Sequence, residues 1–299
     1  MPPIATAKVS PFRLSVITDE ISQDFDHACN VAANEFGLSW VEIRDINGKS
    51  PIDFTDETIA AAQATLKKYG LRVTDIGSPL FKVDFPGAPT KSGKKDEFGN
   101  KATFAQQDEV LEKCIKLAKA FNTERIRCFD FWRLTNQAPF RDAIDQKLRD
   151  ASMRLKKENL LLVVENEPAC NTATGAEAAR LLKAVTNENF GLNWDPANSG
   201  MTGVAMPYPI EWQMLPAKRI MHCHCKDFGP GENGKIVWLP VGKGKMDWVG
   251  QFKALKDSGY HAGVSMETHW HGPDGPEAST RTSIAGMFDA LRQAGCLQG

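Results

Sequence analysis

What the sequence lacks narrows its function first. No apolar run approaches the ~20 residues that a membrane-spanning helix needs, so a place in a bilayer is not expected. No excess of one charge exists either: 36 Lys and Arg stand against 37 Asp and Glu, for a formal net charge of -1. The basic residues gather only in pairs such as Lys94-Lys95 and Lys156-Lys157, each followed by an acid. Nucleic-acid binders need a basic stripe because phosphate neutralisation dominates their affinity, so DNA and RNA are not expected as partners. Cys-x-x-Cys spacing is missing. The seven cysteines (Cys29, Cys114, Cys128, Cys170, Cys223, Cys225 and Cys296) are scattered and odd in number, a pattern that predicts free, mostly buried thiols in a reducing compartment. Residues 1–11 carry neither an apolar secretory core nor a lipidation signal, and the expected location is the cytoplasm. A Gly-rich phosphate fingerprint is absent after the first apolar run, where Thr18-Asp19-Glu20-Ile21-Ser22 stands instead. That counts against a dinucleotide-binding open sheet.

What is there is a regular alternation of short β-rich runs and amphipathic stretches along all 299 residues. Strands are predicted at 12–18, 40–43, 71–76, 126–129, 160–165, 190–195, 220–226 and 263–267. Helices are predicted between them: 24–36 stopped by Gly37, a helix capped by Thr55 and closed by Gly70, 104–121, 140–158, and one from Thr174 to near Val185 with Glu177 completing a capping box. A sixth is expected near Ile210–Leu215, a seventh at 248–257 capped by Asp247, and the last at 276–291. Eight strand–helix units without a composition break predict one (β/α)8 TIM barrel spanning 1–299. Residues 1–11 are read as an N-terminal extension, with loop insertions at 78–101 and 228–245 on the active-site face.

Four consecutive strands end in a metal-ligand residue type: Glu165, Asp195, His224 and Glu267, separated by 30, 29 and 43 residues. Functional groups in a barrel collect at the carboxyl ends of the strands, so the spacing aims these four side chains at one point. A lone acid at a strand end is more often a helix cap or an ion-pair partner; four in register are not explained that way. Three carboxylates and one imidazole suit one divalent ion, Mn, Mg, Co or Zn, better than copper or an iron–sulfur cluster. The string His222-Cys223-His224-Cys225 imitates a zinc cluster, but strand alternation puts the histidines on one face and the cysteines on the other. His222 is therefore read as a hydrogen-bonded core residue, and the cysteines are placed beneath the outer helices.

Other candidates are weaker. Lys226 shares a face with His224 and is weighed as a substrate ligand or acid against an ion pair with Asp227. Arg44 and Arg127 could grip hydroxyls or a carboxylate, or form structural salt bridges. His269 and His271 follow the last strand, and Trp132, Trp194 and Trp270 could stack on a sugar although core packing is their default role.

The segments Leu162–Asn166, Gly191–Asn198, His222–Asp227, Val241–Gly244 with Asp247-Trp248, and Val264–Thr268 resemble the xylose-isomerase-like TIM-barrel superfamily of sugar isomerases and epimerases. So do Asp19-Glu20-Ile21 and Val41-Glu42-Ile43-Arg44. The resemblance implies that Glu165, Asp195, His224 and Glu267 hold the metal and that the two glutamates are also the catalytic acid/base pair. Where sugar epimerases of the group often have His three residues after the metal Asp, this chain has Asn198, which departs from a ketohexose pattern yet keeps a hydrogen-bonding, substrate-binding side chain. The expected activity is isomerisation or epimerisation of a small sugar or polyol through an enediolate, with Arg44, Arg127, Asn198, Lys226, His269 and Trp270 around the substrate. Dimers or tetramers are usual in the group, which implies a homo-oligomer. A dehydratase acting on a keto-inositol or keto-sugar shares the early chemistry and is the first alternative. A non-catalytic sugar-binding protein is the second. A three-zinc apurinic-site endonuclease is disfavoured: only six histidines exist, and His27 and His261 fall outside strand ends.

Overall fold

β-Branched and apolar runs flanked by Gly, Asn and Asp form extended strands wherever both faces can be buried, and here eight of them do so side by side. The computed structural model describes residues 9–91 and 101–298. The strands are β1 (Arg13–Val16), β2 (Trp40–Ile43), β3 (Arg72–Leu80), β4 (Arg125–Cys128), β5 (Leu161–Glu165), β6 (Phe190–Trp194), β7 (Ile220–Cys225) and, after a short hairpin, β10 (Gly263–Met266). Their spatial order is β1-β10-β7-β6-β5-β4-β3-β2. Every neighbouring pair is parallel, and a parallel bridge from Ile17 to Glu42 links the first two strands. Sequential order closing on itself is a (β/α)8 TIM barrel; a doubly wound sheet would reverse its order at a switch point.

The helices follow their sequence signals closely. α1 (Phe25–Asn30) is capped by Asp24, continues as a π-helical turn over Val31–Glu35, and is followed by Gly37 at φ 67°. α2 (Asp56–Tyr69) runs from its Thr55 cap to Gly70 in the left-handed conformation, where only glycine avoids a Cβ clash. α3 (Gln107–Ala120) and α4 (Arg141–Lys156) follow. α5 (Gly175–Ala184) has its Thr174 cap, but the expected box is modified: the Glu177 carboxylate accepts from the Ala173 N–H and pairs with Arg133. α7 (Trp248–Asp257) is capped by Asp247, and α8 (Pro276–Gln293) closes the chain.

Two expectations need correction. The sixth helix is not a single segment near 210–215. A short α6 (Pro196–Met201) starts directly after β6, and 207–214 forms one π-helical and one 3-10 turn. Pro207 and Pro209 lack the N–H donors that an α-ladder needs. The insertion at 228–245 is partly regular: β8 (Asp227–Pro230) and β9 (Ile236–Leu239) pair as an antiparallel hairpin. Strand β3 also runs on to Leu80, into the expected loop; residues 92–100 of that loop, and 1–8 of the N-terminal extension, lie outside the described residues.

The apolar core lies between the sheet and the helices, where Trp248, Phe252, Leu255 and Met266 are buried. All seven cysteines are free and buried, and Cys223 and Cys225 belong to this outer layer. The lumen is polar by contrast. Ser15, Thr74, Ser265, Glu42, Asp75, Asn193, His222 and His224 are all fully buried. Among the described residues no helix is long and apolar enough to cross a membrane.

Candidate metal centre

The carboxyl ends of β5, β6, β7 and β10 bring the four expected side chains together. Glu165 is the last residue of β5. Asp195 follows β6 and caps α6, accepting from the Asn198 N–H at 3.0 Å. His224 sits near the end of β7, and Glu267 follows β10. Each offers a ligand atom, and those atoms all lie within 4.8 Å of one another. His224 Nδ1 is 3.0 Å from Glu267 Oε2, 3.2 Å from Glu165 Oε1 and 3.9 Å from Asp195 Oδ2.

A buried cluster of three carboxylates needs positive charge close by. Lys226 Nζ supplies some, at 2.6 Å from Glu267 Oε2 and 2.8 Å from Asp195 Oδ2. Arg127 Nη1 lies 3.2 Å from Glu165 Oε2, and Arg44 Nη1 donates to Glu267 Oε1 at 3.1 Å. Arg44 is itself held by Asp19 and Glu20. Burial would raise the Glu165 pKa, but His224 and Arg127 bring it down to about 2. Burial likewise opposes ionisation of Glu267, and Lys226, His269 and His224 override it, holding that carboxyl well below its usual range. Asp195 goes the other way: burial, joined by the charges of Glu267 and Glu165, outweighs Lys226 and pushes it up to about 7.

The donor set fits a divalent ion. His224 Nε2 lies 3.2 Å from both oxygens of Glu42 and 3.1 Å from the Asn193 side-chain amide; the ionised carboxylate favours the ring proton on Nε2, which leaves the Nδ1 lone pair facing three carboxylates. Without a cation between them that is a repulsive arrangement, and the ring answers by taking a second proton: burial lowers the His224 pKa, but Glu42, Glu165 and Glu267 raise it well above the usual imidazole value. Asp195 Oδ2, although 2.8 Å from Lys226 Nζ, makes no hydrogen bond of acceptable geometry. Oxygen-rich, single-nitrogen coordination suits Mn, Mg, Co or Zn.

Of the remaining candidates, Asn198 Nδ2 is 3.3 Å from Glu165 Oε1 and donates to the Asn166 carbonyl at 2.8 Å. Lys226 joins the cluster rather than pairing with Asp227. The Asp227 carboxylate instead accepts from the N–H groups of Phe228, Gly242, Gly244 and Met246, pinning the hairpin insertion over the mouth. His269 stands at the rim, 3.8 Å from both Glu20 and Glu267. Trp270 covers Gly272, and among the described residues no hydrogen bond, ion pair or ring contact ties it to the cluster. His271 is exposed. Trp194 is core, donating to Gln251, and Trp132 packs on Phe129 and Cys170. His222 is a core residue as expected, 2.9 Å from Glu42.

Four residues escaped the sequence reading. Trp238 on β9 meets His269 edge to face at 5.1 Å, with Lys226 Nζ 5.1 Å from its ring centroid. Nothing in the sequence announces this, because the hairpin's path decides it. Glu42 and the pair Asp19 and Glu20 are the others. Strand alternation offered a signal for Glu42: it shares a lumen face with Arg44, two residues on, and an acid inside an apolar strand needs a partner.

Solved structures superpose over nearly the whole chain. A xylose isomerase-like TIM barrel protein from Mycobacterium smegmatis in complex with magnesium is 14% identical, covers 95% of this chain and 98% of its own, and has a TM-score of 0.68. The probable 3-DHS dehydratase AsbF of Bacillus anthracis is 20% identical over 92% of this chain and 97% of its own, TM-score 0.68. A D-allulose 3-epimerase from Methylomonas sp. in complex with D-allulose is 16% identical over 97% and 99%, TM-score 0.67. No curated protein matches the chain significantly in sequence. The family model for the xylose isomerase-like TIM barrel matches residues 31–291, a span holding β2 through β10 and all four clustered side chains, and the chain belongs to that family.

Proposed function

We propose that this chain is an enzyme that isomerises or epimerises a sugar or polyol beside a carbonyl, using one divalent metal ion held by Glu165, Asp195, His224 and Glu267. One observation carries the reading: two buried, ionised glutamates stand about equally far from His224 Nδ1, at 3.2 and 3.0 Å, each braced by its own arginine. Carboxylates facing one point from two strands can remove a proton from one side of a carbon and return one to the other side, or to its neighbour. The metal, when bound, would polarise the substrate carbonyl and favour the negative charge that grows on its oxygen. Arg127 and Arg44 keep the two carboxylates oriented. Lys226, protonated and buried beside Trp238 of the hairpin, offers a hydrogen bond to a substrate oxygen.

A dehydratase acting on a keto-inositol or keto-sugar is the second reading, and Glu20 favours it. Burial pushes this carboxyl up to about 7 despite Arg44 beside it. Near neutral pH part of its population is therefore protonated, and a carboxylic acid beside Glu267 and His269 can protonate a leaving hydroxyl, which the isomerase reading does not need.

The test is to strip the protein with chelator, restore Mn, and follow deuterium uptake from heavy water by NMR. The panel holds ketohexoses, ketopentoses, hydroxypyruvate and a keto-inositol. Metal-dependent exchange is expected, with the product separating epimerase, isomerase and dehydratase. Glu165→Gln and Glu267→Gln should each reduce exchange by about 10²–10⁴-fold. Failure to bind one metal per chain would sink the proposal.

A further inference from the structure

Three cations brace the carboxylate cluster, and they do not hold equivalent oxygens. The oxygens that converge on His224 Nδ1 are Glu267 Oε2 at 3.0 Å, Glu165 Oε1 at 3.2 Å and Asp195 Oδ2 at 3.9 Å. Arg44 takes the outer oxygen of one glutamate, Glu267 Oε1, and Arg127 that of the other, Glu165 Oε2. Both arginines leave the inner oxygens to a metal. Lys226 does not. Its Nζ stands 2.6 Å from Glu267 Oε2 and 2.8 Å from Asp195 Oδ2, two of the three inner oxygens.

A dication bound to those oxygens at the ~2.1 Å of a Mg–O bond would lie within about 5 Å of the ammonium. Lys226 is buried, so water screens little of the repulsion between them. Its hold on Asp195 is also imperfect, because Oδ2 lacks a hydrogen bond of acceptable geometry despite the short separation. The backbone around Lys226 is fixed: its carbonyl accepts from Trp248 Nε1 at 3.0 Å, and four N–H groups hold the Asp227 carboxylate beside it. What can move is the side chain, an ammonium on a flexible four-carbon stem. The half-buried ring of Trp238 lies 5.1 Å from Nζ, within cation–π reach.

Resting on the metal-dependent reading above, we propose that Lys226 competes with the metal for its site: it neutralises Glu267 and Asp195 until a dication arrives, and is then driven off the inner oxygens toward Trp238. Metal loading and substrate recognition are coupled in this way. While Lys226 bridges two carboxylates its N–H groups are engaged with them. Displaced onto the Trp238 face, they are released for a substrate oxygen. The ammonium therefore becomes a substrate ligand only when the ion that polarises the carbonyl is in place.

The test titrates Mg into chelator-stripped wild type, Lys226→Met, Trp238→Phe and the double variant at pH 9, where protons compete least for the vacated oxygens. Mg is chosen because, unlike a paramagnetic ion, it does not quench tryptophan. Calorimetry should show one Mg per chain, bound about tenfold or more tightly by Lys226→Met than by wild type. A residue that merely supported the ligands would shift affinity the other way. The fluorescence of Trp238, taken as wild type minus Trp238→Phe, should change as Mg binds, and the same difference in the Lys226→Met background should not. Equal or weaker Mg binding by folded Lys226→Met would overturn the proposal and leave the metal centre standing. So would a Trp238 signal that ignores Mg or responds equally without Lys226. If Lys226→Met does not fold, the response of Trp238 in wild type against Trp238→Phe decides alone. Absence of Mg binding by wild type would strike the metal centre itself, and this proposal with it.

Discussion

Glu42 touches no substrate in the reading above, yet its replacement should be felt at the metal. Its carboxylate accepts from two imidazoles at once, His222 Nε2 at 2.9 Å and His224 Nε2 at 3.2 Å. It is fully buried, and although burial alone would raise its pKa, the two histidines hold it well below the usual range. Glu42→Gln keeps the shape but leaves one acceptor oxygen and adds an N–H₂ donor. One imidazole must then accept rather than donate through Nε2. When that ring is His224, its proton moves to Nδ1 and the lone pair that would bind metal is lost. Outer carboxylates of this kind are worth about 10–100-fold in metal affinity, or roughly 1.4–2.7 kcal/mol. The assay is calorimetric titration of Mn into chelator-stripped wild type and variant at one pH, with thermal unfolding of both as a check on the fold. Because the Glu42 charge also raises the His224 pKa, the variant should release fewer protons per metal bound, which a merely loosened structure would not produce. An Mn affinity within twofold of wild type, in a folded variant, would refute the reasoning.

Two further outcomes are expected. In the metal-free protein the His224 pKa lies well above the ordinary value and Asp195 titrates at about 7. Metal binding must displace those protons, so affinity should fall as pH falls: about tenfold per unit while His224 alone is protonated, and more steeply below pH ~7 as Asp195 joins it. Titrations from pH 8 to 6, in buffers of different ionisation enthalpy, measure both the slope and the protons released; a flat profile would contradict the assignment of His224. Gly286 in α8 lies so close to the Val241 carbonyl that a Cβ would overlap it. Gly286→Ala should cost about 1–3 kcal/mol and lower Tm by roughly 2–10 °C in a thermal scan, with Mn stoichiometry unchanged below the transition.

The periodicities that specify the barrel are local, and they could be read directly. Thr55, Thr174 and Asp247 cap helices, Gly70 ends one, and β-branched runs such as Leu161–Val164 need burial on both faces. The same local logic assigned His222 and His224 to one face and the cysteines to the other. It failed where the chain broke its own rhythm. Short turns over 207–214, opened by Pro207 and Pro209, stand where the sixth helix is expected, and part of the expected loop insertion at 228–245 is the hairpin of β8 and β9.

The sequence by itself determined the order of strands and helices, and with it the four side chains that a barrel must carry to one end, because residue spacing and strand alternation are properties of the chain alone. Only the tertiary structure decided that Glu42 reaches across to two histidines from β2, that Trp238 rather than Trp270 covers Lys226, and that Arg44 and Arg127 brace Glu267 and Glu165. Those contacts join residues up to 223 positions apart. Their partners are selected by how a closed sheet and its insertions converge in space, which no local pattern encodes.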